Sequence, residues 1–85
     1  MTYIYSMSKH HLPTYAIVEL LIRLSQYNYL IGDYKNHSAF DTGVMVKTSG
    51  GSISFPTHIV LRQFEDPTTI SDDELLQMAL RFRKA

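Results

Sequence analysis

The side chains of this 85-residue chain that could bind a metal ion are histidines and scattered carboxylates. Asp33 and His37 are four residues apart, a spacing that on a helix would place both on one face. They follow Gly32, however, in a segment with the composition of a loop, and no H-E-x-x-H or similar ligand spacing occurs. Because the chain has no cysteine, thiolate sites and disulfides are excluded. We therefore expect neither a metal site nor a cofactor, and read the histidines as surface residues. They are His10, His11, His37 and His58.

The remaining polar residues do not form a pattern typical of catalysis. The Ser-Gly-Gly-Ser segment at 49–52 is explained by turn chemistry, because neither a nucleophile elbow nor a phosphate-binding glycine pattern is present. The acidic run at 72–74 suits the positive end of a helix. Glu65 and Asp66 lie beside Pro67 and are read as solvated charge, with the alternative that the two acidic runs together form an acidic patch for a basic partner surface. We predict no catalytic residue and no enzyme.

A β-hairpin at about residues 43–56 is the clearest structural signal. Apolar and polar side chains alternate on both sides of a glycine pair, which can adopt the positive φ that a type I′ turn needs. A two-residue loop at 50–51 would sort the apolar side chains onto one face of the hairpin. The opposing pairs in this register are Val46 with Phe55 and Thr48 with Ile53.

Helical signals flank the hairpin. Apolar residues at helical spacing predict a central N-terminal helix from about Pro13 to Leu30, with Gly32 as its stop signal. Ser71 and Glu74 predict a capping box that begins a C-terminal helix at about 71–84. The segment 57–64 suits a strand or a helix, and we favour a short helix. The expected inward residues are Ile17, Leu20, Leu21 and Leu24 in the first helix and Leu75, Met78, Ala79 and Phe82 in the last, extended by Leu76 and Leu80.

The other segments complete a single α+β domain over residues 1–85. Residues 2–7 alternate and predict a short strand. The segment from Asp33 to Thr42 is polar and is expected to be irregular, with Tyr34 and Phe40 as anchors. No secretory signal is recognisable, and the longest apolar segment is too short and too charged to span a bilayer. The sequence therefore favours a cytoplasmic protein that does not enter a membrane.

The function predicted from these features is protein binding by an adaptor, inhibitor or regulatory subunit. Small cysteine-free domains without catalytic motifs are common among accessory proteins of phages and plasmids, which is an analogy of size and composition. The first helix is more apolar than a small monomer needs, so we expect it to contact a protein partner or a second copy. The predicted binding residues are Val18, Ile22, Tyr29, Tyr34, Glu65 and Asp66.

The alternative prediction is a nucleic-acid-associated regulator with a local basic face. Eight basic and eight acidic residues give no net charge, whereas a dedicated nucleic-acid binder usually carries a basic excess. A continuous basic face would favour this alternative, and an exposed apolar patch would favour a protein partner.

Overall fold

The computed structural model describes residues 12–84, so the strand predicted at residues 2–7 lies outside the described residues. It is an α+β domain in which helices and strands occupy separate segments of the chain. Helices α1 and α2 come first, followed by three consecutive strands, helix α3, a short 3-10 turn, helix α4 and a final strand. Their bounds are α1 Thr14–Ser25, α2 Asn28–Ile31, β1 Tyr34–Phe40, β2 Gly43–Thr48, β3 Gly51–Pro56, α3 Thr57–Glu65, the 3-10 turn Pro67–Thr69, α4 Asp72–Phe82 and β4 Arg83–Lys84.

The four strands form one antiparallel sheet in the order β1-β2-β3-β4, and the helices cover one of its faces. Phe55 is buried on the covered face and meets Phe82 of α4 in an edge-to-face contact, with ring centroids 5.9 Å apart. Burial of apolar side chains from both layers is the main term that stabilises such a domain. The core is formed by Ala16, Leu20, Leu24, Ile31, Val44, Val46, Ile53, Phe55, Ile59, Val60, Ile70, Leu75 and Ala79.

The hairpin is present, but its predicted register is wrong by two residues. Phe55 lies opposite Val44 rather than Val46, and the two-residue loop is formed by residues 49–50. A slip of two residues keeps every side chain on its predicted face, because side chains alternate with period two. The buried face therefore carries the residues that the pattern selected. The turn is not type I′, since the positive φ falls on Gly51, after the loop.

A junction between the hairpin tip and helix α2 accounts for this register. The Thr48 hydroxyl donates to the Ile31 carbonyl at 2.6 Å and accepts from the Gly50 N–H at 3.0 Å. A Cβ on Gly50 would lie 2.6 Å from the Ile31 carbonyl oxygen, so only glycine fits there. Gly32 has a φ of 98° and ends α2, as the sequence predicted. The tip is thus held by a tertiary contact and not by its own turn type.

The segment predicted to be irregular, from Asp33 to Thr42, contains strand β1. All seven of its residues are exposed, so no buried face imposes an apolar alternation on the sequence. The strand is held by backbone pairing to β2, which is interrupted by an irregularity between Tyr34 and Asn36. Tyr34 and Phe40 are about half exposed and therefore do not anchor the core as predicted.

The helices agree with the predictions except for a break in the first helix and an earlier end of the last. The single helix predicted from Pro13 to Leu30 is divided after Ser25, whose hydroxyl donates to the Ile22 carbonyl at 2.6 Å and competes with the helical ladder. Helix α3 confirms the helical reading of residues 57–64. The capping box between Ser71 and Glu74 is present. The last helix ends at Phe82 and not at residue 84, because the two following residues pair with β3.

The inward faces differ from the predictions at a few positions. Ala16 is fully buried in α1, whereas Ile17 and Leu21 are only partly buried. In α4, Leu80 points outward rather than extending the core. Ala16 is small, and it lies where α1 crosses α3: its carbonyl oxygen accepts a hydrogen bond from the buried Gln63 of that helix. Hydrophobicity alone does not identify such a crossing position.

Candidate functional site

The outer side of α1 carries an apolar stripe that the described residues leave uncovered. Tyr15, Val18 and Ile22 are exposed, with 60% of the surface of Ile22 accessible. Together with Ser25 they recur at alternating spacings of three and four residues, the pattern by which helices dock against one another. The opposite side of α1, with Leu20 and Leu24, is buried in the core. The helix is therefore apolar on two sides, and residues 12–84 bury only one of them.

Strand β1 completes a groove beside this stripe. Tyr34 begins β1, lies opposite Thr48 of β2, and places its ring next to α1. The groove has a volume of about 270 Å³ and is apolar except for one serine hydroxyl and the tyrosine hydroxyl. We call it the α1–β1 groove. It is lined by Val18, Leu21, Ile22, Ser25 and Tyr34.

The outer edge of β1 is a second uncovered feature. Within residues 12–84, β1 pairs with β2 on one side and has no strand on its other side. The N–H and C=O groups along that side can accept another strand. His37 lies opposite Val46 and Ala39 lies opposite Val44, so both belong to the face of the sheet that carries the helices. We call this edge, from Tyr34 to Phe40, the β1 edge.

One side-chain contact fixes the start of the β1 edge. The Tyr34 hydroxyl and Nδ1 of His37 are 2.7 Å apart and share a hydrogen bond. The two rings are tilted, with centroids 6.0 Å apart. This contact limits the rotation of the Tyr34 side chain, which forms the aromatic wall of the α1–β1 groove.

An ion pair on the neighbouring side of α1 sets the position of the helix. Arg23 donates from Nη2 to the Asp72 carboxylate at 2.8 Å and to the Ile70 carbonyl at 2.6 Å. The hydrogen bonds from Arg23, with a further one from Gln26, lower the pKa of Asp72 below its ordinary value of 3.8. The pair ties α1 to the start of α4. It therefore holds the apolar stripe at a fixed orientation to the sheet.

The structure brings together three of the six residues predicted to bind a partner, namely Val18, Ile22 and Tyr34. Tyr29 is exposed on α2 and does not line the α1–β1 groove. Glu65 and Asp66 lie at the end of α3, where Asp66 accepts hydrogen bonds from the backbone and hydroxyl of Thr68 and so organises the 3-10 turn. Those two acidic residues are not part of the groove.

Two parts of the candidate site were missed by the sequence reasoning. Leu21 was assigned to the core, yet it is partly buried and also lines the groove. The β1 edge was missed because its segment has no apolar alternation. A usable signal was present in the two short turn-forming segments around 32–33 and 41–42, which bound a stretch of the length of a typical strand.

Catalytic and metal-binding chemistry has little support from the described residues. A second cavity of about 280 Å³ is lined by residues without an ionisable side chain, which are Phe40, Thr42, Gly43, Val44, Met45, Ser54, Phe55 and Pro56. Within residues 12–84, no three histidine or acidic side chains come together as metal ligands would. Such a cavity can accept an apolar group, but it offers no side chain for acid–base chemistry.

The face of the sheet that the helices leave open carries basic side chains. All four strands lack acidic residues. Lys47 and Lys84 lie in one row across the sheet, joined by Ser52, which pairs with both. The acidic residues of the described chain lie instead in the helices and in the connecting segments.

Comparison with protein-family models, with curated proteins and with solved structures found no match to this chain. Among the helices of residues 12–84, none has the length and apolar character that crossing a membrane requires. The functional argument therefore depends on the geometry of the described surfaces.

Proposed function

We propose that this chain is a small non-enzymatic interaction module that binds a protein partner through the α1–β1 groove. The observation that supports the proposal is the convergence of Val18, Ile22 and Tyr34, from two elements, around one apolar groove that residues 12–84 leave uncovered. Soluble domains rarely leave such patches exposed unless a partner covers them. Tyrosine at the rim adds a side chain that is enriched among the residues dominating binding energy.

The proposal is tested by a charged substitution in the groove with a matched control. Ile22→Glu places a carboxylate among apolar side chains, whereas Leu80→Glu makes the same kind of change on α4, away from the groove. Both positions are exposed, so both variants should retain the circular dichroism and thermal midpoint of the wild type. Affinity capture from the native host, with and without nuclease, should recover a protein with the wild type and the Leu80 variant but not with the Ile22 variant.

Equal capture by all three forms would show that the groove is not the binding surface. Capture that disappears after nuclease treatment would show that the partner is held through nucleic acid instead. Loss of capture by the Leu80 variant as well would indicate a general effect of added charge.

A second candidate function, nucleic-acid binding, is supported by the row containing Lys47 and Lys84. Their ammonium groups lie on a sheet face whose strands lack acidic residues, so a phosphate backbone would meet no repulsion from strand side chains. Phe40 is half exposed on the neighbouring strand and offers a ring for base stacking. Two lysines form a small basic face, and for this reason the protein partner is the first proposal.

A titration with a fluorescent single-stranded oligonucleotide tests this second candidate. Replacing both lysines by glutamate should weaken binding about tenfold or more, and added salt should weaken the wild type. Arg81→Glu on α4 is the matched control. Binding that survives the double replacement, or that does not respond to salt, would eliminate the open sheet face as the binding surface.

A further inference from the structure

We propose that the partner in the α1–β1 groove is a second copy of this chain. The two copies join their β1 edges as antiparallel strands about a two-fold axis, with Ser38 opposite its counterpart. This inference rests on the proposed function, because it assigns an occupant to the same groove. It adds the geometry of the contact and the residues that define its register.

The two uncovered features are adjacent, so one contact covers both. Tyr34 belongs to the β1 edge and also forms a wall of the α1–β1 groove. A two-fold axis perpendicular to the sheet pairs the two β1 edges and keeps the helices of both copies on the same side. The stripes containing Val18 and Ile22 then lie above the joined strands. A single isologous contact thereby satisfies the open backbone groups and covers the apolar stripe.

Charges at the two ends of β1 select the register. When Ser38 faces its counterpart, Lys35, at the irregularity between Tyr34 and Asn36, comes near Asp41 in the turn after β1 of the second copy, and symmetry produces this pairing twice. Both side chains are exposed. In the symmetric register centred on His37, Asp33 would instead lie opposite Asp41, and like charges directly opposite each other are unfavourable. Of these two registers, the one centred on Ser38 therefore has complementary charges at both ends of the paired strands.

The uncharged residues that this register places opposite each other lie on the same face of the sheet. His37 lies opposite Ala39, and both belong to the helix-bearing face of the sheet. Asn36 lies opposite Phe40 on the open face. The two sheets join into one sheet of eight strands, and each copy retains β4 as its outer strand. The lysine row on the open face is not covered by this contact.

A charge exchange across the joint provides the test. Lys35→Asp and Asp41→Lys each convert two attractive contacts into repulsive ones, whereas the double variant restores opposite charges in exchanged positions. Sedimentation equilibrium of the full chain should show a dimer for the wild type. Each single variant should raise the dimer dissociation constant about tenfold, and the double variant should recover most of that loss. Lys47→Asp on β2 makes the same charge change one strand away and should leave the constant unchanged.

Each possible result supports or overturns the proposed dimer or its register. A wild type that remains monomeric at about millimolar concentration overturns it, and so does a dimer whose constant is the same in all variants. Single variants that weaken the dimer without recovery in the double variant overturn the Lys35–Asp41 register. Capture of a different protein that depends on Ile22, by a chain that is monomeric, would retain the proposed function and reject the second copy as its partner. Circular dichroism of every variant verifies that the domain is folded.

Discussion

At the scale of single residues, one buried polar side chain connects two helices inside the apolar core. Gln63 is fully buried where α3 meets α1, and its Nε2 donates to the Ala16 carbonyl oxygen at 2.9 Å. Its Oε1 has no hydrogen-bond partner within residues 12–84. A buried acceptor without a partner costs about 1–3 kcal/mol, which is comparable to or larger than the contribution of the hydrogen bond on the other side of the amide.

Gln63→Met should therefore raise the free energy of unfolding, by about 1 kcal/mol, because it removes the unpaired oxygen and nearly preserves the volume. The Ala16 carbonyl lies inside α1 and keeps its helical hydrogen bond. Urea unfolding of the two forms measures the difference. Gln63→Ala is the control, and it should lower stability because it leaves a cavity. A clear loss of stability in the Met variant would mean that Oε1 has a partner in solution.

The ion pair between Arg23 and Asp72 predicts a dependence of stability on pH. Because the native pKa of Asp72 lies below its ordinary value of 3.8, the pair stabilises the fold fully above that value and ceases to do so as pH falls through the native pKa. The thermal midpoint of Asp72→Asn should be lower than that of the wild type near pH 6. The difference should close towards pH 2. A difference that is constant over this range would show that the carboxylate is not paired in solution.

At the scale of elements, local patterns were sufficient where an element has one buried face or a local cap. The C-terminal helix was predicted because Ser71 and Glu74 satisfy its first N–H groups themselves, and this capping is a local property of the sequence. The faces of the hairpin were predicted because alternation survives any slip of two residues. The register, the break in the first helix and strand β1 depend on contacts between distant segments. No window of the sequence contains those contacts.

The candidate site was likewise predicted only in part, because its α1 side was predictable and its β1 side was not. The exposed stripe of α1 was predictable, since Val18 and Ile22 lie to one side of the face formed by Leu20 and Leu24. Tyr34 was predicted to bind a partner, but its position beside α1 was not. Its position beside α1 follows from the pairing of β1 with β2, which is set by backbone hydrogen bonds that leave no trace in side-chain composition.

Gly50→Ala tests the contact that determines the hairpin register. Gly50 does not have a positive φ, so alanine suits its backbone, but the new Cβ would lie 2.6 Å from the Ile31 carbonyl oxygen. We expect a loss of about 1–3 kcal/mol in the free energy of unfolding, the cost of overpacking a close contact. Ser54→Ala, at an exposed position of β3, is the control and should change stability little. Equal stability of both variants would mean that the tip and α2 are not in contact.

At the scale of the whole molecule, one core joins the two layers, and the described surface outside it is uneven. The helices contact the sheet mainly through β2 and β3, whereas every residue of β1 is exposed. A domain of this size buries only about 60% of its unfolded surface, and within residues 12–84 strand β1 is part of the surface that stays exposed. The uneven coverage places the α1–β1 groove and the β1 edge at the same end of the domain.

Phe55→Ala should show that the two layers unfold together. The ring is almost fully buried between the sheet and Phe82, so its removal should cost about 3–5 kcal/mol, a large part of the stability of a small domain. Far-ultraviolet circular dichroism and the tyrosine signal should lose their native values at the same, lower urea concentration. Transitions that separate in the variant would indicate that the sheet and the helices are not one cooperative unit.

The contact between the hairpin tip and α2 limits where a peptide can be inserted into this chain. An exposed two-residue loop is normally a first choice for inserting a peptide tag or splitting a protein into complementing fragments. Here the Ser49 N–H donates to the Asp33 carbonyl at 2.8 Å and the Ser49 hydroxyl accepts from the Asp33 N–H at 2.9 Å. An inserted peptide would break these hydrogen bonds between the hairpin tip and the backbone of Asp33. The segment Pro67–Thr69, which is exposed throughout, is the better position for an insertion.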